Sequence, residues 1–202
     1  MIDARSAVES VMNERGRLRS SHEMLHAALE NEGRDATYVP FYIAVANFME
    51  ASMGRLDSQD VEMLTRLSNA LDGGTEEEQA VIKEVHRRLN GNREHLARFL
   101  ACRTELVERP DDPDTIKEFE TVSEAYIDYI HNDMGHHAPS TDIARRVFQE
   151  EDWINIADLD DDYFARERKL YSKLLDSRPD SVPLGLAADE YVELYRSDKG
   201  LD

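Results

Sequence analysis

Seven histidines carry most of the chemistry this chain can do near neutral pH: His22 and His26, His86, His95, then His131, His136 and His137. His22 and His26 are four residues apart, hence on one helical face, and His22 itself falls in line with Val8, Val11, Leu18, Leu25 and Leu29 on an apolar stripe. Arg15 stands at a vacant position of that stripe. His86 follows Ile82 by four and borders a second stripe, whereas His95, about two and a half turns further on, points to the opposite side. His131, His136 and His137 gather where Gly135 and Pro139 let the backbone turn. Neutral imidazoles packed between helices are costly unless each ring nitrogen has a partner, and one shared metal partners several rings at once. Carboxylates suited to the same task are Asp60, in line with Leu56 and Met63, and Asp57 one turn before it. The candidate ligands are therefore His22, His26, Asp57, Asp60, His86, His131, His136 and His137. A plainer account makes each histidine a hydrogen-bonded core residue and either pairs the carboxylate with Arg55 or Arg66 or turns that helix face outward.

These residues need long helices to hold them, and the periodicity supplies four. Apolar side chains recur at steps of three and four, and nine Gly and six Pro cluster between the periodic segments. The spacing predicts helices at about 4–31, 38–71, 76–108 and 114–135. Thr75 with Glu78 three residues later is a capping-box signature, Gly73-Gly74 ends the helix before it, and Pro110 to Pro113 stops the third. Four helices of similar length joined by short turns predict an all-α, up-and-down four-helix bundle in a single domain spanning 1–202, with additional C-terminal helices in 141–202. No alternating pattern argues for a sheet.

The charge balance narrows the partners. Forty-three Asp and Glu against 24 Lys and Arg give a net charge of -19, a field that repels phosphate backbones and anionic lipid, so neither nucleic acid nor membrane is expected as a partner. The lone Cys102 permits no internal disulfide, and no apolar signal segment opens the chain, so a cytoplasmic protein is expected. Gly-rich phosphate loops and Ser or Cys nucleophile elbows are missing from the sequence. Mixed imidazole and carboxylate ligands from four helices suit iron, manganese or zinc better than calcium or magnesium.

The order of these residues resembles the hemerythrin-like (HHE cation-binding) family over roughly residues 18 to 175. His22 in Ser-His-Glu-Met-Leu-His is similar to the family's first-helix histidine and His86 in Glu-Val-His-Arg-Arg-Leu to its third-helix one. Tyr129-Ile130-His131, followed by Ile143 to Trp153 and Ile156, is similar to its fourth-helix and post-helix signature. The resemblance implies a non-haem, di-iron site that binds or senses oxygen, nitric oxide or peroxide, or performs oxidative chemistry. Its ligand set is divergent: Asp57 and Asp60 stand where the family places a histidine and an acid, and imidazoles stand where its fourth helix ends in an acid. Two other readings are open. One is a metal-free helical bundle serving as an interaction or structural protein. The other is a ferritin-like di-iron carboxylate oxidase, suggested by the pairs Glu23/His26 and Asp133/His136 and requiring Glu50 and Glu84 to face the core.

Overall fold

The computed structural model describes residues 4–134, 138–158 and 160–186, with side chains for residues 9–134, 139–158 and 160–186. It is all-helical, with no strand among the described residues. The helices are α1 (Ala4–Glu30), α2 (Val39–Ala70), α3 (Glu76–Glu108), α4 (Pro113–Tyr129), α5 (Ala138–Val147), α6 (Glu150–Ala157) and α7 (Asp161–Ser177). A single 3-10 turn, Ala36–Tyr38, leads into α2, and α4 runs on into a wider π turn, Ile130–Met134.

Local chemistry accounts for these limits. Thr75 Oγ1 accepts from the Glu78 amide at 3.3 Å and the Glu78 carboxylate accepts from the Thr75 amide at 2.9 Å, a closed capping box that satisfies two of the donors a helix start leaves open. Glu76, Glu77 and Glu78 add negative charge where the helix dipole is positive. Asp112 caps α4 by accepting from the Thr115 amide, and Pro113 occupies the first turn, where its missing N–H is not needed. Asp160 caps α7 by accepting from the amides of Asp162 and Tyr163. Asp158 ends α6 in the left-handed region at φ 43°, a conformation that Asp tolerates better than most residues.

Neighbouring helices pack in sequence order: α1 lies against α2, α2 against α3, α3 against α4, and α4 against α1. The main core between them is aromatic and thioether-rich. Phe41, Tyr42, Phe48 and Met49 of α2 meet Met24 and Leu25 of α1, Phe99 of α3, and Phe119 and Tyr126 of α4. α7 lies along α2 and places Leu174 in the same core, while α5 brings Ala144 against Leu67 in a smaller cluster. Gly91, inside α3, permits one close approach: a Cβ there would overlap the Tyr129 side chain, whose hydroxyl donates to the Arg88 carbonyl at 2.8 Å.

The C-terminal helices are anchored by buried charge. Arg17 of α1 makes a forked pair with the fully buried Glu167 of α7, at 2.7 Å from Nε and 2.8 Å from Nη2. Glu14 of α1, also fully buried, accepts from Arg55 of α2 at 3.3 Å and from the Tyr163 hydroxyl of α7 at 2.6 Å. The Arg55 guanidinium in turn covers the rings of Tyr163 and Phe164 at 4.5 and 4.8 Å.

Candidate functional site

Three of the candidate imidazoles come together. His22 projects from the buried face of α1 and is 7% exposed, and its Nε2 meets no hydrogen-bond partner among the described residues. Burial, with His131 nearby as the second cause, holds its pKa down at about 3, so the ring is neutral at physiological pH. His131 reaches the same place because the π turn widens the end of α4 and re-aims the side chains there. Its ring centroid is 6.0 Å from that of His26, whose Nδ1 lies 3.4 Å from the Glu30 carboxylate. Between α1, α2 and the π turn lies a cavity of about 420 Å³, whose lining includes Arg15, His22, Glu23, Met53, His131 and Met134. His136 and His137 lie outside the described residues.

The other candidates stand elsewhere. Asp57 is engaged by Arg93 of α3 in a two-pronged pair at 2.7 and 2.9 Å. Its partner is thus neither Arg55, which pairs with Glu14, nor Arg66, which pairs with Glu62 and Asp152. His86 is exposed on α3 and lines a separate cavity of about 350 Å³ between α2 and α3. Asp60 lines neither of these cavities. It sits near Arg15 and Met63, and its pKa is raised to about 6, by burial first and by Asp57 second, against the opposing charges of Arg15 and Arg88. His95 stacks on Tyr129 with centroids 4.5 Å apart.

Two buried phenols of the core are likewise committed. Tyr126 donates to Asn92 Oδ1 at 2.9 Å and Tyr42 to Glu120 at 2.9 Å, with Arg34 3.1 Å from the same carboxylate. Glu50 and Glu84, which a ferritin-like centre needs in the core, are exposed and paired with Arg103 and Arg87. Glu23 accepts from Arg19 and from the Leu186 amide. Among the described residues, no group of three or more His, Cys, Asp or Glu side chains is placed to hold one metal ion. The described members of the expected ligand set are not gathered as a two-metal centre requires: Asp57 is taken up by Arg93, Asp60 and His86 line two further cavities, and the carboxylate that lines the cavity of His22 and His131 is Glu23, already bonded to Arg19 and the Leu186 amide.

One polar residue that the sequence pattern gives no role is Arg15. Arg15, taken as a gap in the first stripe, extends into the space between α1, α2 and α6, where its Nη2 hydrogen-bonds the Gln59 carboxamide oxygen and its Nη1 meets no acceptor among the described residues. The signal was present: an arginine and an aspartate, Arg15 and Asp60, each on an apolar stripe of adjacent helices. Comparison with protein families, with curated proteins and with solved structures found no match to this chain.

Proposed function

We propose that α1–α4 form an up-and-down four-helix bundle, extended by α5–α7, that serves as an interaction or structural protein without a resident metal pair, in a reducing compartment such as the cytoplasm. The observation that carries this reading is the dispersal of the candidate ligands. Asp57 is closed off by Arg93, His86 faces a separate cavity, and Asp60 stands with Arg15 away from the imidazoles. Supporting it, the middle of the bundle is filled by Phe99, Phe119, Met49 and the Tyr126–Asn92 hydrogen bond, so the stability needed to hold the helices together comes from packing. The ring of contacts from α1 through α4 and back supports the bundle topology.

A second reading is favoured by one specific feature, the buried and unpartnered Nε2 of His22 beside His131. In the hemerythrin-like reading those two imidazoles, with His26 near them, hold iron, or manganese or zinc in its place, and the metal serves a diatomic or peroxide ligand. Metal analysis of protein produced with supplemented iron separates the two. The bundle reading predicts less than about a tenth of an atom of any transition metal per chain, unchanged after anaerobic reconstitution. About one atom or more per chain, lost in His22→Ala together with thermal stability, establishes the metal reading instead.

A further inference from the structure

Between α1, α2 and α6 lies a cavity of about 460 Å³ walled mainly by apolar side chains, among them Val11, Met12, Met63, Trp153 and Ile154. That volume is in the range of small-molecule sites, which combine an apolar wall with a few convergent polar groups. Here the polar groups are Arg15, Gln59, Asp60 and, at the exposed rim, Glu150, and two of them are unmatched. Arg15 uses Nη2 on Gln59 Oε1, and Gln59 spends its Nε2 on the Ala157 carbonyl at 3.1 Å, yet Arg15 Nη1 is buried with no acceptor among the described residues. Asp60, on the same wall, receives no hydrogen bond and forms no ion pair within 4.0 Å among the described residues, although the charge of Arg15 acts on it from nearby. A buried donor of positive charge and a carboxylate without a donor, held apart in an apolar cavity, are each costly alone.

We propose that this cavity binds a small zwitterion with an apolar side chain, a free α-amino acid of about the size of leucine or phenylalanine. The ligand's carboxylate meets the unmatched Arg15 Nη1, its ammonium meets Asp60, and its side chain takes the apolar wall. Either half alone fits worse. A simple carboxylic acid puts a second anion beside Asp60, and a simple amine puts a second cation beside Arg15. The cavity shares Arg15 with the imidazole cavity but contains none of the imidazoles, so the proposal stands apart from either reading of His22.

Trp153 is the only tryptophan of the chain, and it forms part of the wall, so its fluorescence is a probe of this cavity. Titrating the full-length protein with leucine or phenylalanine is expected to give a saturable change in Trp153 emission, with matching heat by calorimetry. 4-Methylpentanoate, 3-methylbutylamine, 3-phenylpropanoate and 2-phenylethylamine, each carrying one charged half, are expected to bind at least about tenfold more weakly, a difference of about 1.4 kcal/mol. Arg15→Met and Asp60→Asn are each expected to weaken amino-acid binding by about tenfold or more. Asp60→Asn serves as the variant of secure fold, because losing a buried charge does not threaten it. The proposal is overturned if neither fluorescence nor heat responds up to about 10 mM ligand. It is equally overturned if one half binds as well as the zwitterion, or if Asp60→Asn binds it with unchanged affinity.

Discussion

Replacing Asp60 by Asn keeps the shape of the side chain and removes only its charge, so the change isolates the electrostatic cost of placing this carboxylate on an apolar stripe. Its pKa moves from 3.8 to about 6, chiefly through burial. Between those two values the folded chain binds a proton that the unfolded chain has lost, so stability falls as pH rises from about 4 to about 6 and is level above that. About two pK units at 1.36 kcal/mol each give close to 3 kcal/mol, and partial solvent access reduces this to about 1–2 kcal/mol. Asp60→Asn is therefore expected to be the more stable protein at pH 7.5, by about 2–8 °C in melting temperature, and to match the wild type near pH 4. Urea or thermal unfolding of both proteins at the two pH values reads the effect directly. A loss of more than about 1 kcal/mol in Asp60→Asn at pH 7.5 refutes the reasoning, because it means the carboxylate has a strong partner such as a metal ion. Combined with weaker amino-acid binding, a gain in stability is the trade expected of a residue kept for function.

Arg17→Met strands the buried carboxylate of Glu167 and is expected to cost about 3 kcal/mol in urea unfolding, with Arg17→Met/Glu167→Leu regaining most of it. A loss below about 0.5 kcal/mol in the single variant contradicts the anchoring of α7 through this pair. Gly91→Ala, which in an ordinary helix interior adds up to about 1 kcal/mol, is expected to destabilise here through overlap with Tyr129, and to become neutral or favourable when Tyr129→Ala is present. His22 is held neutral in the fold with its pKa near 3, so its contribution is lost as pH falls below 6.5. Between pH 6.5 and 5 the wild type is expected to lose about 2 kcal/mol relative to His22→Leu, measured by chemical denaturation.

The start of α3 was legible because its chemistry is local, Thr75 and Glu78 acting within four residues, and the same short range let Pro110 to Pro113 mark the break between α3 and α4. The end of the fourth helix was less so, because the π turn at Ile130–Met134 changes the pitch without any Gly or Pro inside it. Periodicity placed Asp60 on the apolar stripe with Asp57 one turn before it, but three residues rotate a helix by about 300°, and that 60° offset turns Asp57 to the seam with α3 and Asp60 to the side of α1 and α6. The same arithmetic moves His86 past the edge of the Ile82, Val85 and Leu89 face and leaves it exposed. His22 was legible because it lies in the middle of its stripe. The Glu14, Arg55 and Tyr163 cluster was not, since its members are 41 and 149 residues apart in sequence and only the packing of α2 on α1 and the docking of α7 bring them together.

The proposed helical interior, held by packed side chains and not by metal, can be tested by anomalous diffraction at the atoms concerned. Crystals of the full-length protein, grown after anaerobic loading with iron, manganese and zinc in turn, are expected to show no anomalous peak between α1 and α4. A strong peak within about 2.5 Å of His22 Nε2 and of the His131 ring contradicts the account and places the metal centre there.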